Sequence, residues 1–269
     1  MNETPTNSSA HEGPALLKRS RRVLDKLEKT LQKTYGASET HLGNKRNPLN
    51  EAIYIILSYQ TTVRRSKLTW GRLRSSFRQW HEVERASTGR VARTLLEGGL
   101  QHQKAREIKA LLRAVRRIFG KLSLNSLRKE SDKQAEQILT KLPGLSWKGA
   151  RCVMLYALRR AVLPIDVNTF RIFKRVGIIH ANAVYRRKIL HDALQSAVRP
   201  SRRRRFHINL VIHGQRTCLP VNPKCGICPI RGSCLKIGLT STKQSSFKPV
   251  TRKLFNALRI HSNANQKHS

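Results

Sequence analysis

Residues 142–166 read LPGLSWKGARCVMLYALRRAVLPID, and this stretch decides the predicted fold. Upstream of it, Ser131 and Gln134 have the spacing of a capping box, and apolar residues then recur at helical intervals. The Pro-Gly pair at 143–144 breaks that helix, and a second, mostly apolar helix is predicted to begin near Lys148. The pattern therefore predicts two helices joined by a short turn.

The turn between these helices is a candidate phosphate-binding site. A glycine-bearing turn at a helix N-terminus directs backbone N–H groups toward an anion, and such a contact does not depend on base sequence. Gly144, Ser146 and Gly149 are the residues of the turn that we expect to lie near a DNA backbone. An ordinary hairpin of two helices, without any ligand, would have the same local pattern.

Lys148 and Asp166 add chemistry to this hairpin. Asp166 lies in an apolar run, whereas the other three aspartates lie in stretches with a helical charge pattern. It can act as the N-cap of a helix predicted at 167–176. At most other positions in this basic chain, a lysine is expected to be solvated and without a special role. Lys148 lies beside a candidate phosphate site, where its amine could reach a deoxyribose.

These residues resemble a known family. The segments LPGLSWKGA and IDVNTFRIF are similar to the helix-hairpin-helix DNA glycosylases of the endonuclease III type, which have a Leu-Pro-Gly hairpin, a lysine and a downstream aspartate. The lysine-to-aspartate interval matches without a gap. The resemblance implies that Lys148 is the Schiff-base nucleophile and that Asp166 is the carboxylate that assists it. The chain departs from the family at Ser146, which replaces the second hairpin glycine.

The charge of the chain indicates a polyanionic partner. Its 269 residues include 54 Lys and Arg against 15 Asp and Glu, a net charge of +39. Nucleic acid is the obvious partner, although charge alone reports only non-specific affinity and would suit an RNA binder or a membrane-surface protein equally well. The sequence has no signal peptide and no membrane span, which predicts an intracellular protein, cytoplasmic or nucleoid-associated, without disulfides.

Four of the five cysteines form a candidate metal site. Their spacing is C-x6-C-x2-C-x5-C, and closely packed thiolates repel one another unless a metal neutralises them. Zinc and an iron–sulfur cluster both accept four thiolates, so the spacing alone leaves both open. The resemblance implies a 4Fe-4S cluster that holds a basic loop, including Lys224 and Arg231, against DNA, while Cys152 remains a core residue. The predicted ligands are Cys218, Cys225, Cys228 and Cys234.

Two further segments resemble the family. Ser58 to Thr62 is similar to a segment whose glutamine fills the gap left by a flipped nucleotide, which implies this role for Gln60. Leu100 follows two glycines and resembles a leucine that wedges into the duplex. The alternatives are a solvent-facing polar residue at a helix C-terminus for Gln60 and a hydrophobic staple for Leu100.

The resemblance covers about residues 15–236 and implies an all-α, two-lobed helix-hairpin-helix DNA glycosylase fold with a C-terminal four-cysteine cluster loop. DNA would lie across the cleft between the lobes, with Lys148 and Asp166 at its floor. The predicted organisation is a disordered tail at 1–14, a cluster-bearing lobe of 15–40 plus 162–236, a helical domain at 41–161 that contains the hairpin at 131–161, and a basic tail at 237–269.

The implied function is that of a monomeric, bifunctional DNA glycosylase and AP lyase of base excision repair. It would act on double-stranded DNA with damaged or abasic nucleotides, and the family expectation for the lesion is an oxidised pyrimidine. Two alternatives remain open from the residues: a monofunctional adenine- or mismatch-type glycosylase of the same fold, and a non-catalytic DNA-binding module. Lys148 favours the bifunctional enzyme, because a monofunctional one does not need an amine at this position.

Overall fold

The computed structural model of the protein describes residues 9–36, 41–180, 182–185 and 188–239, and for residues 9–20 only the backbone. Within these ranges the secondary structure is helical and contains no β-strand, which confirms the all-α prediction. None of the described helices is long and apolar enough to cross a membrane. The predictions for residues 1–8 and 240–269 lie outside the described residues.

The chain divides into two compact units. The hairpin unit consists of the described residues of Ser38–Pro164, and the cysteine unit of those of Met1–Ala37 and Ile165–Ser269. Each junction lies within a few residues of a predicted domain boundary.

Seven α-helices form the hairpin unit. They are α2 (Pro48–Ser58), α3 (Val63–Ser76), α4 (Trp80–Arg85), α5 (Thr88–Arg93), α6 (Gln101–Phe119), α7 (Asp132–Lys141) and α8 (Trp147–Tyr156). Helix α2 is central, because it packs against α3, α6 and α8. Its residues Ile53, Ile56 and Leu57 are fully buried, and each such side chain contributes roughly 1.5–3 kcal/mol by leaving water.

Local chemistry sets the ends of α2. Asn47 is the N-cap, its side chain accepts a hydrogen bond from the Asn50 amide at 3.1 Å, and Pro48 occupies the first helical position, as the sequence predicts. At the other end Tyr59 is extended and stops the helix. Tyr59 and Gln60 therefore follow directly after the end of α2.

Four α-helices form the cysteine unit: α1 (Ser9–Tyr35), α9 (Val167–Val176), α10 (Lys188–Ala197) and α11 (Arg203–Arg216). Helix α11 packs against both α1 and α9, and the Phe173 and Phe206 rings meet with their centroids 6.0 Å apart. Helix α1 begins at Ser9, earlier than the predicted start at residue 15, so residues 9–14 are helical rather than disordered. The four clustered cysteines follow α11 in short 3-10 turns.

Candidate nucleic-acid interface and cysteine segment

The helical hairpin has the predicted local structure. Ser131 and Gln134 form the capping box that starts α7, and α7 ends at Lys141 with Leu142 as its C-cap. Helix α8 begins at Trp147 but ends at Tyr156, five residues before the predicted end at 161. The helix stops because Arg159 adopts a left-handed backbone conformation with φ of +60°. The chain then runs to Asp166 without regular secondary structure.

Gly144 makes the turn between α7 and α8 possible. Its φ is +77°, a conformation that side-chain-bearing residues rarely adopt. A Cβ at this position would lie 2.8 Å from Ile56 Cδ1 and 3.2 Å from Glu107 Cβ. The turn is therefore packed closely against α2 and α6, and this packing fixes the position of the α8 N-terminus.

Gly144→Ala should destabilise the protein by about 2 kcal/mol or more, because it combines a strained backbone with overpacking against Ile56. Gly71→Ala is the matched control: a Cβ on Gly71, inside α3, would meet nothing within 4 Å and should stabilise by about 1 kcal/mol. Denaturant unfolding measures both effects. Equal stability of wild type and Gly144→Ala would contradict the close packing of the turn.

Ser146 fits the hairpin without strain. Its φ is −82° and its ψ is 174°, so glycine is not required at this position. The Ser146 hydroxyl accepts a hydrogen bond from the Gly149 amide at 3.3 Å and caps α8. Ser146 thus acts as an N-cap at the position where the family has a glycine. The Gly149 amide, which was predicted to face a phosphate, is hydrogen-bonded to Ser146 in this structure.

Lys148 lies in the first turn of α8 and is half-buried. A cation at a helix N-terminus is opposed by the helix dipole, at a cost of roughly 0.3–1 kcal/mol, so the position is not selected for stability. The Lys148 Nζ atom is 5.3 Å from the centroid of the Tyr59 ring. Burial raises the pKa of the Tyr59 phenol, and the positive charge of Lys148 partly opposes that rise. Tyr59 therefore stays neutral and forms one wall beside the amine.

Tyr59 also explains the glycine that follows Lys148. A Cβ on Gly149 would collide with the Tyr59 hydroxyl and would lie 3.4 Å from Ile55 Cγ2. Gly149 thus allows α8 to approach the C-terminal turn of α2. As a result, Lys148 and Gln60 belong to two segments that meet at Tyr59.

A buried carboxyl group contributes to the electrostatics around Lys148. Glu51 on α2 is fully buried and accepts hydrogen bonds from Asn44 Nδ2 at 2.6 Å and from the Lys45 amide at 2.5 Å. Burial raises the pKa of Glu51 to about 8, against the opposing effect of those hydrogen bonds and of the Lys45 and Lys148 charges. Glu51 was not predictable from the sequence, because nothing about a single helical glutamate indicates complete burial.

Asp166 is the N-cap of α9, as one reading of the sequence predicted. It is 8% exposed, and its Oδ1 accepts a hydrogen bond from the Thr169 amide at 2.7 Å. The Asn168 amide group donates to Asp166 Oδ2 at 2.8 Å. Just before it, the Ile165 carbonyl accepts a hydrogen bond from the Tyr185 hydroxyl at 2.9 Å. The carboxylate is therefore held in one orientation by its neighbours.

A chain of hydrogen bonds runs from Asp166 to the cysteine segment. The Asn168 side chain donates one hydrogen bond to Asp166. Its Oδ1 atom accepts another from Arg171 Nη2 at 2.9 Å. Arg171 in turn donates from Nε and NH2 to the Cys218 carbonyl, at 3.0 and 2.8 Å. A Cβ on Gly214 would lie 2.5 Å from Asn168 Cβ, so α11 packs directly on this network. Asn168 and Arg171 were not among the residues predicted from the sequence, although both lie in the segment that carries the resemblance.

Gln60 and Leu100 share an uncommon backbone conformation. Both have φ of +52°, although neither is glycine. Gln60 is exposed, and Leu100 is 44% exposed as the residue before α6. This exposure argues against a hydrophobic staple for Leu100, because a staple would be packed against the helix.

The four cysteines of residues 218–234 are partly buried and are not disulfide-bonded. Burial raises the pKa of the Cys234 thiol, and the charges of Cys218, Cys228 and Cys225 raise it further. Within the described ranges, no three His, Cys, Asp or Glu side chains are close enough to hold a single metal ion. Zinc and an iron–sulfur cluster both accept four thiolates, so the side-chain chemistry is compatible with either.

Groups around the cysteines can stabilise thiolate charge. Arg175 NH1 is 3.3 Å from Cys218 Sγ, and the same guanidinium donates to the Leu219 and Pro220 carbonyls, the latter at 2.9 Å. His213 Nε2 is 3.8 Å from Cys228 Sγ, while its Nδ1 is hydrogen-bonded to the Tyr35 hydroxyl. This donor set fits a negatively charged cluster bound by four thiolates.

Lys224, Arg231 and Cys152 are the remaining predicted residues, and only the first two lie at the surface. Lys224 and Arg231 are exposed, and Arg231 NH1 donates to the Gly226 carbonyl at 3.0 Å, within the cysteine segment. Cys152 is a core residue, 1% exposed, as predicted. Of the predicted site residues, Gln60, Leu100, Lys148 and the hairpin turn belong to the hairpin unit, and Asp166 and the cysteines belong to the cysteine unit.

Known proteins share these features. Residues 218–234 match the family model described as the iron–sulfur binding domain of endonuclease III. The chain is 26% identical over 195 residues to endonuclease III of Sulfolobus acidocaldarius, covering 71% of this chain and 83% of that one. It is 25% identical over 170 residues, 58% of the chain, to DNA glycosylase/AP lyase ROS1 of Arabidopsis thaliana, but spans only 12% of that relative's length. A solved structure described as a non-covalent endonuclease III–DNA complex has a TM-score of 0.66 at 22% identity, covering 82% of this chain and 95% of that chain.

These matches show the fold, which is the all-α helix-hairpin-helix fold of the solved endonuclease III structure, and a C-terminal segment that is similar to an iron–sulfur binding domain. The same matches confirm the resemblance to the endonuclease III type that the sequence predicted. The match to the cysteine segment also supports an iron–sulfur cluster as its cofactor.

Proposed function

We propose that the chain is a bifunctional DNA glycosylase and AP lyase that excises damaged bases from double-stranded DNA. The observation that carries this proposal is Lys148, a half-buried amine in the first turn of the hairpin's second helix, where a cation costs stability. The named activities of the relative ROS1 support the same pair of reactions. The net charge of +39 supports a polyanionic substrate.

The proposed chemistry begins with a nucleotide turned out of the duplex, which a damaged or mispaired base makes easier. The Lys148 amine attacks C1′ of the sugar, and the base leaves with the electron pair of the glycosidic bond and takes up a proton. The ring-opened product is a Schiff base between Lys148 and the sugar. Loss of a C2′ proton then breaks the C3′–O bond, which cuts the strand 3′ to the lesion, and hydrolysis releases Lys148.

Asp166 is the proposed carboxylate that stabilises positive charge as the base leaves and helps activate the attacking amine. Its support is the fixed orientation of the carboxylate, which Thr169 and Asn168 hold from two sides. The N-cap role and the catalytic role are compatible, because capping uses chiefly Oδ1. An oxidised pyrimidine is the proposed lesion.

The proposed DNA contacts divide by type. Gly144, Ser146 and Gly149 would place the hairpin turn against a phosphate, and Lys224 and Arg231 would add contacts from the cysteine segment. Gln60 would fill the gap left by the flipped nucleotide, and Leu100 would wedge between base pairs. The exposed, left-handed backbone of both Gln60 and Leu100 supports this assignment.

The proposed cofactor is a 4Fe-4S cluster on the four cysteines of residues 218–234. Cys225→Ala should therefore lower the iron and inorganic sulfide content well below the roughly four of each expected per wild-type chain. Cys152→Ala is the matched control and should leave both contents unchanged, because Cys152 is a core residue of the hairpin unit. Zinc without sulfide in the wild-type protein would overturn the cluster assignment.

The function is tested on duplexes that carry an abasic site, thymine glycol or no damage, with reaction products separated on a denaturing gel. The proposal predicts cleavage 3′ to the abasic site and the lesion, and none of undamaged DNA. Base release that needs later alkali treatment to cut the strand would indicate a monofunctional glycosylase. Binding without any product, at equal affinity for all three duplexes, would indicate a DNA-binding module.

A further inference from the structure

Lys104 is a buried lysine for which the proposed chemistry has no use. It lies in the first turn of α6 and is only 2% exposed. Its Nζ atom donates hydrogen bonds to the Leu57 carbonyl at 3.0 Å and to the Gly98 carbonyl at 2.7 Å. Burial of an ammonium group is costly unless its protons are bonded, and here burial lowers the pKa of Lys104 to about 8. A surface position would avoid this cost.

The two carbonyls bonded by Lys104 belong to different turns of the hairpin unit. Leu57 lies in the last turn of α2, three residues before Gln60. Gly98 ends the 3-10 turn Leu96–Gly98, two residues before Leu100. Lys104 therefore connects the two segments that present Gln60 and Leu100.

Both segments are strained at the residue they present. The left-handed conformation costs a residue with a side chain roughly 1–2 kcal/mol, and both Gln60 and Leu100 adopt it at φ of +52°. Neither side chain recovers this cost by burial, because both are exposed. Such conformations persist only where the surrounding structure holds the backbone. Lys104 supplies hydrogen bonds close to both residues.

We infer that Lys104 is a positioning residue: one buried ammonium group fixes the turns of Gln60 and Leu100 relative to each other, so that both side chains enter a duplex as a preformed pair. The inference rests on the proposed function, because the pair has a role only if the protein opens DNA. Lys104 itself does not touch the substrate. Its loss should weaken recognition of a site with a missing base, while contacts to intact backbone remain.

Lys104→Met tests this inference, since methionine fills similar space without an amine. Fluorescence anisotropy would measure binding to a duplex with a stable, uncleavable abasic analogue and to the undamaged duplex at the same salt concentration. The variant should bind the abasic duplex about 10- to 100-fold more weakly, because misplaced groups lose binding energy steeply. Its affinity for undamaged DNA should stay within about twofold, because phosphate contacts dominate that binding. Lys104→Arg should recover part of the preference for the abasic duplex over the undamaged one.

Lys109 provides a matched control on the same helix. It is also buried, and its Nζ donates hydrogen bonds to the Glu84 carbonyl at 2.7 Å and to the Ala86 carbonyl, which lie at the C-terminal end of α4. Lys109→Met should cost similar stability and leave the ratio of the two affinities unchanged. An unchanged ratio in Lys104→Met, or an equal loss in both variants, would overturn the positioning role.

A second variant covers the case in which Lys104→Met does not fold. Gly98→Ala keeps the amine but crowds the turn that carries its carbonyl partner, because the new Cβ would lie 3.0 Å from Thr69 Oγ1 and one of the two must shift. Gly98→Ala should also lower the ratio of abasic-duplex affinity to undamaged-duplex affinity. A wild-type ratio in this variant would contradict the inference. Wild-type protein that binds both duplexes equally would instead overturn the proposed function, and the Lys104 inference with it.

Discussion

Lys148→Gln should abolish strand cleavage at abasic sites while leaving DNA affinity nearly unchanged. Glutamine lacks the nucleophilic amine, so the Schiff base cannot form, and the loss of a covalent nucleophile costs about 10³-fold or more in rate. Single-turnover cleavage of an abasic duplex measures the rate. Anisotropy with the same duplex measures the affinity, which depends on many other basic groups in a chain of net charge +39.

Lys141→Gln is the matched control for this experiment. Lys141 is an exposed lysine in the last turn of α7, in the same hairpin, and removal of its charge tests for a general electrostatic effect. Its cleavage rate should equal that of the wild type. A Lys148→Gln protein that cleaves at the wild-type rate would exclude Lys148 as the nucleophile.

Asp166→Asn should lower the rate of base removal about 10²- to 10³-fold, because it removes the negative charge that stabilises the transition state. Asparagine is as good an N-cap as aspartate, so the bond from the Thr169 amide should persist. The loss of stability should therefore be small. Only the hydrogen bond that Asn168 donates to Asp166 Oδ2 is lost. Thermal unfolding and single-turnover base release measure the two effects separately.

Ser131→Ala controls for the loss of a helix cap. It removes the cap of α7 and should cost about 1 kcal/mol, with base release unchanged when assayed below the unfolding transition. If Asp166→Asn has the wild-type rate, Asp166 is an N-cap alone. If Asp166→Asn is unfolded enough under assay conditions to account for its lower rate of base release, the structural role of Asp166 explains the lower rate.

Local chemistry made the hairpin and the α9 cap predictable. The capping box at Ser131, the Pro-Gly break and the N-cap at Asp166 each depend on residues within one or two turns of the chain. The cysteine spacing was informative for the same reason, because all four predicted ligands fall within residues 218–234. Helix α8 was predicted too long, since no local signal announces the left-handed backbone of Arg159.

Buried polar groups were not predictable from the sequence. Lys104 and Glu51 occur in helices with ordinary charge patterns, and only the packing of α2 and α6 shows that their charges are enclosed. The contact of Tyr59 with Lys148 and Gly149 is also tertiary, since it joins residues about ninety positions apart in the chain. The network from Asp166 through Asn168 and Arg171 to Cys218 similarly depends on how α9 meets the cysteine segment. Sequence patterns identified residue types suited to the chemistry, and packing determined their surroundings.

The most direct test of the proposed chemistry is borohydride reduction of the protein on an abasic duplex, followed by peptide mapping of the covalent adduct. Reduction converts a Schiff base into a stable amine, so the modified peptide identifies the attacking residue. The chain contains 21 lysines, so the position of the adduct distinguishes Lys148 from many other amines. We predict one major adduct, on Lys148, that is absent from Lys148→Gln. An adduct on another lysine, or no adduct with cluster-loaded protein, would contradict the proposed mechanism.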